Sequence, residues 1–418
     1  MDKENCDEVV LGRRIHIVPD IYSTDLNVLE YLCRAVLEDK AKLQILHFDV
    51  PESQLESFHL SLIDPELLSQ AVIRLEDFRL DFAGSKLTPS QTNSIFTAIC
   101  QSEDLKLKTL YLNLKSEDYS EISPELLASA LVRLEETDIL RRLTSPDHVE
   151  CLLHQMAKSD VMKISEFDFN VVDTSNVSPE VLAEALVRVE TVSNIPEDKV
   201  SATLSKIASS DRSKVKSLTL RWLNLSSLRP GIVGEAVAKL ELFSTVHVLT
   251  PNLATEMLTK IGDFQPLRLK ELYMKHENLS SVSPAVLTQA ACRLQHLELY
   301  NCSVSPGQLL SLFSQLAEGK CSQLVHLSVG HSDVSQVPAE ILVAATMRLK
   351  RMDIKGCEMR TEQLTALYEM VAERRSGSLE KLHLFRNNLT DDPPSDLQEA
   401  ELNKWKHRAE LNKSVLIF

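Results

Sequence analysis

His148, Cys151 and His154 stand three residues apart in this 418-residue chain and are candidate metal ligands. At intervals of three on a helix, Cys151 shares a face with either histidine, and thiolate with imidazole is a donor set that suits zinc. Aligning Pro146 with Pro89, however, puts all three on the outer face of a helix with no fourth ligand nearby. The expectation is therefore of surface residues and no metal. Signatures of nucleophilic or phosphate chemistry are missing as well: no G-x-S-x-G, no phosphate loop, no C-x-x-C and no H-E-x-x-H. The chain reads as a non-enzyme that needs no cofactor.

Composition narrows the partners. A net charge of -15 disfavours nucleic acid and anionic membrane surfaces, both of which attract clustered Lys and Arg. The acidic start, Met1 to Leu11, lacks the profile of a secretory signal, and no 18 consecutive residues are apolar, so a cytoplasmic protein is expected. Eight cysteines are scattered without paired spacing and are expected to be reduced thiols.

What must position any functional side chain is a repeat. Its clearest copy runs from Leu294 through Leu297, Leu299 and Cys302 to Val304, an L-x-x-L-x-L-x-x-C-x-V pattern followed by Ser305-Pro306 and an apolar-periodic run. The second leucine-type position recurs at residues 46, 78, 110, 137, 167, 192, 218, 243, 272, 297, 327, 352 and 382. From Leu218 the steps alternate near 25 and 30, so the true period is a pair of units. Alternating apolar residues predict a short strand in each unit, and Ser-Pro at 123–124, 178–179 and 283–284 predicts a helix start with serine as N-cap and proline at the first helical position. Strands joined by crossover helices must run parallel, and bulkier helices bend the stack into an arc. The units around Thr137, Val192 and Phe243 are the weakest and predict local irregularity. Arg13 to Val18 reads as a degenerate strand, Asp25 to Glu38 as a first helix, Asp396 to Asn412 as a closing helix and Val415 to Phe418 as an apolar tail.

These residues resemble the ribonuclease-inhibitor-like class of leucine-rich repeats, and look similar to the recognition domains of NOD-like receptors. The resemblance implies an α/β leucine-rich repeat solenoid, a horseshoe of about 13 repeats with a parallel sheet on the concave face and helices on the convex face. It covers roughly residues 40 to 392, and the organisation expected is an N-terminal cap over 1–40, the solenoid over 41–392 and a C-terminal helical cap over 393–418. In the family an Asn or Cys just past the strand bonds neighbouring turns. Here Cys302, Cys357 and Asn387 fill that place but Leu223, Glu277 and Ser332 do not, so this ladder is expected to be intact only toward the C-terminus.

Strand residues that avoid the core line up in columns. Tyr111, Thr219, Tyr273, Glu298, Ser328, Asp353 and His383 form one, and Asn113, Arg221, Lys275, Tyr300, Gly330, Lys355 and Phe385 the next. Trp222, His276, Asn301, His331 and Arg386 form a third, and His296 lies beside His326. Aromatic and arginine side chains are the types that anchor protein interfaces. Early strands are acidic and late ones basic, with Arg351, Lys355, Lys381 and Arg386 against Asp353. The function expected is a protein-interaction module that binds a protein ligand on the concave surface, of the innate-immune recognition or sensor type. The alternatives are an inhibitor that occludes an enzyme, as the ribonuclease inhibitors do, and a scaffold that binds through its outer helices. The partner-binding residues expected are Tyr111, Arg221, Trp222, Tyr273, His276, Tyr300, Arg351, Lys355, His383, Phe385 and Arg386.

Overall fold

Each of the thirteen marker positions lies on a strand and is buried, because the central side chain, apolar in every unit but that of Thr137, is the one aimed at the helices. The computed structural model describes residues 14–17, 26–37, 43–50, 62–82, 87–112, 119, 121–143, 145–170, 172–226, 228–373, 377–384, 387–389, 403–408 and 416–417. The chain divides into two compact units, Met1–Thr203 with Arg212–Lys214, and Leu204–Asp211 with Val215–Phe418.

In the first unit, strands Arg14–Ile17, Ile45–Val50, Asp77–Phe82, Thr109–Tyr111 and Glu136–Thr137 pair in sequence order, all parallel. Glu166–Asp168 and Thr191–Ser193 form a further parallel pair. The second unit repeats the plan with Ser217–Arg221, Leu242–Val246, Glu271–Lys275, His296–Tyr300, His326–Ser328, Arg351–Asp353 and Lys381–His383. Helices alternate with the strands, so both units are α/β solenoids of leucine-rich-repeat type. Leu68, Phe96, Phe243, Leu299 and Phe313 are fully buried in this layer. Each such side chain contributes about 1.5–3 kcal/mol relative to exposure.

The paired period has a direct cause. Short helices of 8 or 9 residues, such as Pro124–Leu131, Pro179–Leu186, Pro230–Ala238 and Pro284–Ala291, alternate with long ones of 12 or 13, such as Pro146–Lys158, Glu197–Ser209, Pro251–Asp263 and Pro306–Ala317. Just past five of the short helices stands a basic residue that reaches back to the C-terminal carbonyls of the preceding long helix. Arg74 bonds Leu37 O at 2.8 Å, and Arg133 bonds Ile99 O and Cys100 O at 2.6 Å. Arg188 bonds Ala157 O at 2.7 Å, Lys239 bonds Ala208 O at 2.5 Å, and Arg293 bonds Gly262 O at 2.8 Å and Phe264 O at 3.0 Å. A cation there satisfies carbonyls with no partner inside the helix and opposes the negative end of its dipole.

A second device ties the other helix end. Ser123, Ser178 and Ser283 accept the backbone N–H of Leu126, Val181 and Val286, as the Ser-Pro pattern predicts. At the long helices, Gln91, Gln308 and Gln363 also donate to the turn of the preceding unit: Gln91 Nε2 to Ile63 O at 2.7 Å, Gln308 to Leu279 O at 2.7 Å, and Gln363 to Val334 O at 2.8 Å. His148 takes this place in the helix Pro146–Lys158. It is 5% exposed, with Nε2 2.9 Å from Ile122 O. The expectation of a surface histidine is thus corrected: the third helical position is buried here as it is at Gln91, Gln308 and Gln363. Cys151 and His154, further along, are only partly covered.

Irregularity falls where Thr137 was singled out. The strand there has two residues, a 3-10 turn Ile139–Arg141 follows, and the five-stranded sheet stops. The turn after Val192 is compressed, Asn194 at φ 57° leading almost at once into Glu197–Ser209. Around Phe243 the strand is a regular five residues, against expectation, since Leu242–Val246 pairs fully on the Glu271–Lys275 side. The first helix is Leu26–Leu37, and residues 403–408 of the expected closing helix are helical. In the tail, Leu416–Ile417 pairs parallel with Lys381–His383. Cys292 and Cys321 are joined by a disulfide, where reduced thiols were expected. They follow consecutive helices and stack one unit apart, a proximity that linear spacing hides.

The turn ladder reaches further toward the N-terminus than the Asn/Cys pattern implies. Cys302 Sγ donates to Met274 O at 3.0 Å and Cys357 Sγ to Val329 O at 3.3 Å. Burial pushes both thiols up to about 12, which keeps them protonated donors. Asn387 Oδ1 accepts Cys357 N–H at 2.8 Å. Glu277, 2% exposed, does the equivalent work with a carboxylate, accepting Val248 N–H at 3.0 Å and Leu249 N–H at 2.9 Å. Burial raises its pKa despite those donors.

Two stability measurements follow from these ties. Arg293→Ala leaves the Gly262 and Phe264 carbonyls without their partner and should cost about 1–3 kcal/mol in urea unfolding, with Arg293→Lys losing less. Glu277→Leu should cost a similar ~1–3 kcal/mol, because two buried N–H groups lose their acceptor. Glu277→Gln keeps an acceptor oxygen. A carboxyl whose folded pKa is raised gives stability at acid pH that is lost as pH rises through the folded value. The stability difference should therefore move in favour of Glu277→Gln on going from acid to neutral pH.

Candidate functional site

The sheet face turned away from the helices is built by strand alternation. In the second unit, register places Thr219, Ser244, Tyr273, Glu298, Ser328, Asp353 and His383 side by side, and Arg221, Val246, Lys275 and Tyr300 in the adjacent column. Their neighbours Leu218, Leu220, Leu272, Met274, Leu297 and Leu299 are buried on the opposite side.

At the C-terminal ends of six successive strands of the second unit the chain leaves in a left-handed conformation. Trp222 (φ 56°), His247 (52°), His276 (57°), Asn301 (52°), His331 (59°) and Gly356 (68°) occupy equivalent places. That turn aims each N–H across to the next strand: Trp222 to Val246 O at 2.8 Å, His247 to Lys275 O at 3.2 Å, His276 to Tyr300 O at 2.9 Å, Asn301 to Gly330 O at 2.9 Å and His331 to Lys355 O at 3.0 Å. Asn and His are among the residues that best tolerate this region; the indole of Trp222 is an uncommon occupant.

The same turn projects the side chains into a stacked row. Trp222, 69% exposed, stacks on His247 with centroids 4.8 Å apart, and His247 on His276 at 5.0 Å with planes 9° apart. His276 meets Tyr300 edge-on at 5.8 Å, and Tyr300 meets His331 at 4.8 Å with its hydroxyl 2.9 Å from His331 Nε2. Asn301 Nδ2 lies 2.9 Å from His276 Nδ1. Gly330 leaves room for the phenol: a Cβ there would come within 3.1 Å of Tyr300 Cδ2. His247 is the member that sequence reasoning missed. Its repeat lacks the L-x-L signature, yet its position, one past Val246, was the available signal.

The remaining expected residues are placed as follows. Tyr273 is half-buried and donates to Glu271 Oε2 at 2.7 Å; burial, then this bond, pushes its phenol pKa upward. Arg221 and Arg351 are exposed, Lys355 is partly so, and His383 Nδ1 lies 3.2 Å from Asp353 Oδ2. His296 and His326 meet edge-on at 5.5 Å. Burial, His296 and Arg351 together lower the pKa of His326. Tyr111 belongs to the first unit, where its hydroxyl donates to Glu136 and Arg79 lies over its ring at 4.5 Å. Phe385 and Arg386, with Asn113 of the second column, lie outside the described residues. Among the described residues no group of three or more His, Cys, Asp or Glu side chains could hold a metal ion, and no helix is long and apolar enough to cross a membrane.

Comparison with known proteins adds a repeat assignment. The Leucine Rich Repeat family pattern matches residues 378–400, the stretch in which Leu382, Leu384 and Asn387 stand at their expected intervals. No curated protein sequence matches. Among solved structures, the chain is similar to an internalin (inlF) from Listeria monocytogenes at 14% identity and a TM-score of 0.35, covering 96% of this chain and 86% of that one. A protein from Bacteroides fragilis is similar at 12% identity and a TM-score of 0.33, covering 72% of this chain and 73% of that one.

The left-handed row makes its own prediction. His331→Val forces a β-branched residue into positive φ and should lower the urea midpoint by an amount equivalent to about 1–3 kcal/mol. His331→Asn should come close to the parent protein, since asparagine tolerates that conformation.

Proposed function

We propose that the chain is a non-enzymatic interaction module that captures a protein partner on the concave face of its sheet. The observation that carries this reading is the row Trp222, His247, His276, Tyr300 and His331, in which Trp222, His247 and His331 are exposed and His276 and Tyr300 partly so, bordered by Arg221, Lys275 and Arg351. An open sheet needs no stacked aromatic row for solubility. Aromatic and arginine side chains fixed on a rigid surface are what interface hot spots are made of. In this reading residues 41–392 are the solenoid, 1–40 and 393–418 are its caps, Phe385 and Arg386 join the binding surface, Tyr111 is an anchor on the first unit's own sheet face, and the setting is cytoplasmic. The resemblance to NOD-like receptor repeats supports a recognition or sensor role ahead of enzyme inhibition.

A second reading, scaffolding through the outer helices, has one observation in its favour. A groove of about 650 Å³ runs between the helices Ala339–Thr346 and Thr361–Ala372, lined by Val343, Met347, Thr365 and Glu369 among others.

Affinity capture with three immobilised forms separates the two: the parent chain, Trp222→Ala/Tyr300→Ala, and Val343→Glu. Both variants should keep the parent's circular dichroism and unfolding midpoint. A protein retained by the parent and by Val343→Glu, but reduced roughly tenfold or more on the sheet-face variant, supports sheet-face capture; truncating two anchors at ~1–2 kcal/mol each predicts that loss. Retention that falls only with Val343→Glu would transfer the function to the helices, and equal retention on all three would remove the sheet face from consideration.

A further inference from the structure

The aromatic row ends beside a basic hollow. Strands Arg351–Asp353 and Lys381–His383 lie side by side with Arg351 opposite Lys381, and Lys355 follows Arg351 by four residues. With Lys275 these cations border a depression of about 340 Å³ whose lining includes the buried side chains of Ser328 and Met352.

The hollow's own acids are occupied. Glu298 holds Lys275 at 2.9 Å. Asp353 is engaged by His383 Nδ1 at 3.2 Å and by the backbone N–H of Lys355 at 2.9 Å. Arg351, Lys355 and Lys381 have no carboxylate partner among the described residues. The lining thus carries four cations, Lys275, Arg351, Lys355 and Lys381, against two carboxylates, Glu298 and Asp353, in a chain whose net charge is -15. Local charge opposite to the net charge is what orients an incoming partner, because the rest of an acidic surface repels what this patch attracts.

We propose that this depression seats an acidic segment of a protein partner, with carboxylates spaced along that segment answering Arg351, Lys355 and Lys381. This rests on the sheet-face reading above and names the chemistry of one part of it. The spread of the cations selects the ligand. Arg351 and Lys355 stand four residues apart, on the order of 10 Å for near-extended chain. Two carboxylates in an extended peptide match that interval; a single phosphate presents its charge at one point and reaches one end of it. Tyr300 and Gly330, at the hollow's border with the aromatic row, let the same partner continue onto Trp222 and His276.

The test titrates the full chain into a fluorescein-labelled peptide of alternating Glu and Ser, read by fluorescence anisotropy at low and physiological salt. The same peptide with Gln for Glu, and inorganic phosphate as competitor, serve as controls. The proposal expects the Glu peptide to bind with salt-dependent affinity and the Gln peptide not to bind. Arg351→Glu/Lys381→Glu should weaken binding by roughly tenfold or more, while Lys320→Glu, on an exposed turn, leaves it unchanged. Chemical denaturation of the double variant establishes that it is folded. Equal affinity in the folded double variant, no binding by the parent at low salt, or displacement by phosphate as readily as by unlabelled Glu peptide would each overturn the proposal. None of these results uses the Trp222→Ala/Tyr300→Ala variant, so sheet-face capture can succeed while the acidic-segment assignment fails.

Discussion

No strand–helix unit in this chain can satisfy its own ends. A lone unit leaves one side of its apolar residues in water and strands the terminal carbonyls of its helix, the N–H groups of its turn and the edge of its strand. Stacking answers all of these at once, and the answers run between consecutive units. Apolar burial is the largest contribution, but it is nondirectional; the polar ties decide which unit sits where. Arg133 reaches into the helix before it, Gln308 into the turn before it, and Glu277 into the turn of the Phe243 unit. Stability is then a sum of nearest-neighbour interfaces, as in other repeat architectures.

The two-unit period belongs to these ties rather than to the core. Leucine positions alone repeat once per unit. Among the described residues the basic latch recurs only after short helices, at Arg74, Arg133, Arg188, Lys239 and Arg293, and the inward Gln or His stands only at starts of long ones. A short helix ends near the strand that follows it, so a side chain placed just past it can reach the long helix behind. A long helix has already spent those residues on another turn.

How much of this was legible in the sequence depends on whether the cause is local. Strand positions and N-caps were, because L-x-L alternation and Ser-Pro act within a few residues; all thirteen markers fall on strands, and Ser123, Ser178 and Ser283 cap as their type demands. The columns of the sheet face followed from the same alternation once parallel register was assumed. What escaped was set by neighbours one unit away. His148 reads as a surface histidine until the Ile122 carbonyl is beside it, and Cys292 and Cys321 read as unrelated thiols until the stack brings them together. Glu277 looks like a break in the turn ladder because the pattern names residue types, whereas the geometry takes donors such as the Cys302 and Cys357 thiols and acceptors such as Asn387 and Glu277 alike. His247 hid for the opposite reason: its strand is regular, but its sequence lacks the leucines that advertise one.

The left-handed turns connect the scaffold to the surface it presents. A residue at positive φ costs free energy unless it is glycine, and six successive turns of the second unit adopt it, only one of them glycine. The crossing N–H bonds offset that cost, and the conformation throws each side chain forward over the strand end instead of letting it trail along the helix. Rings held this way lose little freedom when a partner arrives, since stacking and the Tyr300–His331 bond have already ordered them. Rigid, preordered aromatic contacts make association less costly in entropy than the same residues on a loop. The strain that shapes the turns and the order that suits the row to binding therefore have one origin, the demand that each strand's last N–H find the carbonyl of the next.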